Sequence, residues 1–186
     1  VLYRSQFRGL KKNIARYFSD YGGWRVMLSS PFFLISLFIS LASYKNWIEP
    51  KWVDQSLSLI PSLLGFSLGT YAILFSLLNN RLKNALRALK NPKGTPFLNE
   101  INATFLHFIF IQNVCLAWAF LFDGTWLIDA FNLVKHNNID LLYVFYPMKY
   151  IGSFMGHLLL VYSFSLVLAS ALTVYRIAGL FDPTED

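Results

Sequence analysis

The sequence predicts an all-α integral membrane protein, a four-helix bundle with an N-terminal amphipathic helix lying at the membrane interface. Three observations predict it. Hydrophobic residues make up 55% of the 186 positions and charged residues only 14%, against about 25% charged in an ordinary soluble domain. Mean hydropathy is +0.46, and a soluble fold of this size has too little interior to hide so many apolar side chains. Four runs contain no Asp, Glu, Lys or Arg: 26–44, 55–80, 101–122 and 150–175. Each approaches or exceeds the roughly 20 residues that a helix needs to cross about 30 Å of hydrocarbon. They are too long and too continuously apolar for the alternating strands of a membrane barrel. The composition excludes a typical cytosolic domain, a disordered chain and, with a single cysteine, a disulfide scaffold.

Residues 1–25 read as a basic amphipathic helix on the cytoplasmic side. Tyr3, Phe7, Leu10, Ile14 and Tyr17 recur at helical spacing, while Arg4, Arg8, Lys11, Lys12 and Arg16 occupy other faces. Such a helix lies in the interface with its apolar face down and its cations toward lipid phosphates. Gly22-Gly23 is expected to break it before Trp24. No small-residue cleavage site follows the first apolar run and no lipidation motif stands at either end, so neither a secretory signal nor a lipid anchor is expected.

Residues 26–175 form the expected four-span domain. In the first span Pro31 follows Ser29-Ser30, a helix-start pattern. The helix therefore either begins earlier and bends at Pro31, or is short, with the bilayer thinning around it. Span two carries Gly65 and Gly69, and span four Gly152 and Gly156. Such pairs let a second helix approach closely, within the bundle or across an oligomer interface. Ser58 and Ser62 extend the small stripe of span two, and Pro61 removes a backbone donor from it. Leu82, Ala85, Leu86 and Leu89 share a face, so span two is expected to continue into a short basic helix ended by Asn91-Pro92, Gly94 and Pro96. The region 123–149 reads as an external loop with short surface helices, or as extensions of spans three and four. Residues 176–186 form a short cytoplasmic tail.

Orientation follows from the cations. The N-terminal stretch, the loop with Arg81, Lys83, Arg87, Lys90 and Lys93, and Arg176 together hold twelve of the sixteen basic residues. The positive-inside rule therefore places both termini in the cytoplasm. The net charge of +6 then reflects topology and attraction to anionic membrane lipids rather than direct nucleic-acid contact. Trp24 falls at the expected inner interface, and Trp47, Trp52 and Trp126 at the outer one.

Polar residues at depth are few. His107, Gln112, Asn113 and His157 lie inside spans three and four, as an interhelical hydrogen-bonding set or as a polar pore lining. No acidic or basic residue lies deep in any span, which argues against an ion-coupled transporter. No zinc spacing, phosphate loop or nucleophile elbow is present, so no catalysis, cofactor or metal is expected. Cys115 reads as a buried, inert thiol.

The segments Tyr17-Phe18-Ser19-Asp20-Tyr21-Gly22-Gly23-Trp24 and Leu64-Gly65-Phe66-Ser67-Leu68-Gly69-Thr70-Tyr71-Ala72-Ile73-Leu74 resemble bacterial anti-phage membrane effectors of the retron-associated type. That resemblance implies an inner-membrane toxin of abortive infection, held inactive by a cytoplasmic reverse transcriptase or other defence sensor. By span count the chain is also similar to the membrane subunit of the Kiwa defence system. Three functions are therefore expected in order. The first is an effector that homo-oligomerises and permeabilises or depolarises the membrane when its partner releases it. The second is an anchor or sensor subunit recruiting a cytoplasmic, nucleic-acid-binding defence partner through Arg4, Arg8, Lys11, Lys12, Arg16, Arg81, Lys83 and Arg87. The third is a small stand-alone ion channel.

Overall fold

The structure, a computed structural model, describes residues 2–92, 94–124, 129, 132 and 142–179. Eight helices are named in order: α1 (Leu2–Tyr21), α2 (Gly23–Leu28), α3 (Pro31–Ala42), α4 (Lys45–Ile48), α5 (Trp52–Leu77), α6 (Asn80–Ala88), α7 (Phe97–Asp123) and α8 (Leu142–Ala178). Among the described residues there is no strand, only an isolated bridge between Lys90 and Pro96. Among the described residues three helical stretches are long and apolar enough to cross a bilayer, Trp52–Ser76, Phe97–Asp123 and Phe145–Ala178; α3 is apolar but shorter.

The boundaries follow from local chemistry. Gly22 and Gly23 take φ of 102° and 82°, the left-handed region that glycine enters without a Cβ penalty, and α1 ends there as expected. The stretch 26–44 is not one helix. Pro31 disfavours helical geometry in the residue before it, and Ser30 is extended at φ −61°, ψ 133°, so α3 starts at Pro31. Nor does α5 run on into the basic segment. Leu78 is extended, and the Asn79 side chain accepts a hydrogen bond from the Leu82 N–H at 2.8 Å, capping α6 as a separate helix. Asp54 and Glu100, which bounded the uncharged runs, lie inside the first turns of α5 and α7, where the helix dipole favours an anion. The last helix begins at Leu142, well before 150, and includes Pro147 in its second turn. Residues 125–128, 130–131 and 133–141 of the expected external loop, with Trp126, and residues 180–186 of the tail fall outside the described residues.

The centre is α7, packed against α5 and α8, with α3 and α4 along α8, α6 on α7, and α1 across α7. One cluster of buried side chains surrounds Phe105, Phe108, Leu166 and Leu86; a second surrounds Trp52, Ile60, Cys115 and Leu160. Ser30 and Pro31 line the same cleft as Thr173 and Arg176. Farther along, Ser36 Oγ meets Ser165 Oγ at 2.8 Å, and the Trp47 ring packs edge-on against Phe154. The segment 30–47 thus runs antiparallel to the stretch of α8 between Phe154 and Thr173, about 28 Å of helix at 1.5 Å per residue.

Candidate functional site

Of the polar residues expected at depth, His107 alone joins a closed side-chain network. It is fully buried on α7. The Tyr17 hydroxyl lies 2.5 Å from its Nδ1, and the Tyr162 hydroxyl on α8 lies 2.9 Å from its Nε2. The Tyr21 ring stacks on the imidazole with centroids 4.2 Å apart. A neutral imidazole has one donor and one acceptor nitrogen, so one of the two phenols donates to the ring and the other accepts from it. Both ring nitrogens then have a partner, which is what makes a buried imidazole tolerable.

Sequence and backbone explain how α1 reaches this point. Tyr17 and Tyr21 stand one turn apart and share a helix face. The glycine turn then folds the chain back, so that Phe18 meets Trp24 with centroids 4.8 Å apart. Burial pushes the Tyr17 phenol above its ordinary value, and the neighbouring Tyr21 adds to this. Tyr21 is raised by burial too, against the opposing hydrogen bond from Tyr162. Of the apolar stripe on α1, Tyr17 is buried, whereas Phe7, Leu10 and Ile14 are 63%, 56% and 41% exposed. The helix is clipped at its C-terminal end, and Leu10 and Ile14 stay exposed farther toward its start.

The other polar residues are placed separately. Gln112 is fully buried, and neither its amide nitrogen nor its oxygen has a partner among the described residues; the same holds for His157 Nδ1. Asn113 is exposed and returns its amide to the Ile109 carbonyl at 2.8 Å. Cys115 is buried, with its thiol 3.7 Å from Ser56 Oγ. Among the described residues no group of His, Cys, Asp and Glu could hold a metal ion.

The two glycine pairs, alike in sequence, have opposite surroundings. A Cβ at Gly156 would overlap the Trp52 indole, and one at Gly152 would lie 3.4 Å from Phe122. Trp52, expected at the outer interface, is instead fully buried in that notch. Its Nε1–H donates to Ser153 Oγ at 2.8 Å, and the Ser153 hydroxyl donates to the Trp47 carbonyl at 2.5 Å. Trp118 similarly donates to the Gly152 carbonyl at 2.9 Å. By contrast, a Cβ at Gly65 or Gly69 would meet nothing within 4 Å among the described residues. Ser58 and Ser62 are exposed beside them, flanked by Leu59, Phe66 and Ile73.

The cations divide between two surfaces. Arg8, Lys11, Lys12 and Arg16 are exposed on α1, and the side chain of Arg4 lies outside the described ones. On α6, Leu86 is buried while Arg81 and Arg87 are exposed and Lys83 is half-buried. Sequence reasoning missed Tyr17, Tyr21 and Tyr162 as partners of His107. The available signal was a pair of phenols one turn apart on a stripe otherwise made of hydrocarbon. The chain matches no protein-family model, no curated protein and no solved structure.

Proposed function

We propose that this chain is a multi-pass effector of the bacterial inner membrane, which self-associates through the small-residue face of α5 and permeabilises the bilayer when a cytoplasmic partner releases it. The carrying observation is the contrast between the glycine pairs. Gly152 and Gly156 are consumed by packing on Phe122 and Trp52, whereas a Cβ at Gly65 or Gly69 meets nothing within 4 Å among the described residues. In lipid there is little hydrophobic drive between helices, so close approach at small residues is the main source of association. A second copy is the surface these glycines fit.

Membrane embedding has its own support. The apolar helices leave Phe38, Ile73, Phe120, Ile151 and Leu168 outside, each more than half exposed, an apolar surface far beyond what a soluble monomer carries. Together with the three long spans, the segment 30–47 gives a fourth crossing alongside α8. An even number of crossings agrees with the cation bias that places both ends in the cytoplasm. From Glu100 to His107 is about 10 Å along α7, and α1 meets α7 there, near the depth of an interfacial helix at roughly 5–10 Å.

Release acts on α1, which holds to the bundle through the Tyr17–His107 clip and offers the exposed cations Arg8, Lys11 and Lys12 to a partner. The segments 17–24 and 64–74 carry the resemblance to retron-associated effectors, and from it come the defence setting and the reverse transcriptase or other sensor as partner. The test is membrane potential in cells carrying the protein with its partner, read by a potential-sensitive dye during phage challenge. Depolarisation is expected in the wild type and lost in Gly65→Leu and Gly69→Leu at equal expression. Depolarisation unchanged in both variants would refute self-association as the mechanism.

One observation favours the anchor reading as a second. Leu86 seats α6 on α7 and turns Arg81 and Arg87 outward as a fixed basic surface. In that case charge reversal at Arg81, Lys83 and Arg87 removes a co-purifying partner, and the α5 glycine variants retain full function.

A further inference from the structure

A polar cleft opens between α1, α5 and α7, with a volume of about 420 Å³. Asn13, Arg16 and Asp20 face it from one side of α1, and Asn99 and Asn102 from the first two turns of α7. Several hydrogen-bond donors in it are unused. Arg16 Nε meets Asp20 at 3.5 Å, which leaves the terminal guanidinium nitrogens free of that pair. Asn102 Oδ1 accepts from the Tyr71 hydroxyl at 3.2 Å, which leaves its NH₂. The side-chain amides of Asn13 and Asn99 have no partner among the described residues. Arg8, Lys11 and Lys12 on the same helix add positive potential, and the Asp20 carboxylate is the one opposing charge in the cleft.

Below these donors the wall changes character. Ala103, Leu106 and Ile109 follow along α7 at helical spacing, with Leu106 48% exposed. Donors above and hydrocarbon below suit an amphiphile with an acceptor-rich head. We propose that the cleft binds a single phospholipid of the inner leaflet. Its phosphodiester oxygens take hydrogen bonds from Arg16 and the asparagine amides, a head-group hydroxyl or amine faces Asp20, and an acyl chain runs along Leu106 and Ile109. The lipid fills the space beside the Tyr17 clip and stitches α1 to the bundle. The site rests on the topology proposed above, which puts the start of α7 on the inner side.

The test is native mass spectrometry of the full chain in mild detergent, titrated with phosphatidylglycerol, with glycerol 3-phosphate as the soluble competitor. One tightly held lipid is expected. Arg16→Gln, and separately Asn99→Leu, should weaken it about tenfold, whereas Lys11→Gln, an equal charge loss on the other side of α1, should change it by less than about twofold. Equal weakening by Lys11→Gln would overturn the site in favour of general attraction between charges. Displacement of the lipid by glycerol 3-phosphate at matched concentration would overturn the lipid as occupant. A chain that fails to sediment with membranes refutes the topology. A chain that sediments but holds no Arg16-dependent lipid refutes this site alone.

Discussion

Gly156→Ala places a methyl group inside the volume of the Trp52 indole. The ring cannot yield cheaply. Trp52 is fully buried, and its Nε1–H is fixed on Ser153, which is itself fixed on the Trp47 carbonyl. Overpacking of this kind costs about 1–3 kcal/mol, and a lost buried hydrogen bond about 1 kcal/mol. Alanine returns up to about 1 kcal/mol through its better helix propensity. The net expectation is a loss of about 2 kcal/mol. Gly65→Ala meets nothing and should be neutral, or stabilising by less than about 1 kcal/mol. Reversible unfolding in mixed micelles by increasing dodecyl sulfate, followed by tryptophan fluorescence, compares the two. Adding Trp52→Phe to Gly156→Ala should recover part of the loss, with a coupling of at least about 0.5 kcal/mol. Equal stability of Gly156→Ala and Gly65→Ala, or no coupling to Trp52, would refute the notch.

Tyr17→Phe leaves His107 Nδ1 buried without its partner and should weaken α1 docking by about 1–3 kcal/mol; faster hydrogen exchange confined to α1 checks this. The same clip should respond to alkali. Tyr17 and Tyr21 titrate higher when docked than when free, so their contribution is complete below the ordinary phenol value, near pH 10, and declines as pH rises through the raised values. Protease cleavage within α1 should therefore stay slow at pH 9, accelerate only in stronger alkali, and show no such step in the Tyr17→Phe, Tyr21→Phe double variant.

How much of this was legible in the sequence depends on whether an element is set by neighbours along the chain or across space. Uncharged runs located α5, α7 and α8, and the Gly22-Gly23 break follows from local backbone freedom. The end of α5 was hidden because the apolar run passes through Leu77 and Leu78, and the Asn79 cap that starts α6 reads as one more polar residue after a span. The uncharged runs begin later than α5, α7 and α8 do, because a charge ends such a run although Asp54 and Glu100 suit a first helical turn. The glycine pairs are indistinguishable as patterns. Only the three-dimensional register sets Trp52 against Gly156 and leaves Gly65 open. His107 stood out as a polar residue in an apolar run, but its partners did not. A tyrosine in an amphipathic stripe counts as apolar, and its hydroxyl matters only once the helix is docked.

Cysteine cross-linking in native membranes addresses the open α5 face most directly. In a Cys115→Ser background, Gly65→Cys and Gly69→Cys should each give a covalent dimer under mild oxidation. Ile151→Cys, 63% exposed on α8, should remain monomeric. Dimer formed equally at all three positions, or at Ile151→Cys alone, would contradict an assembly built on α5.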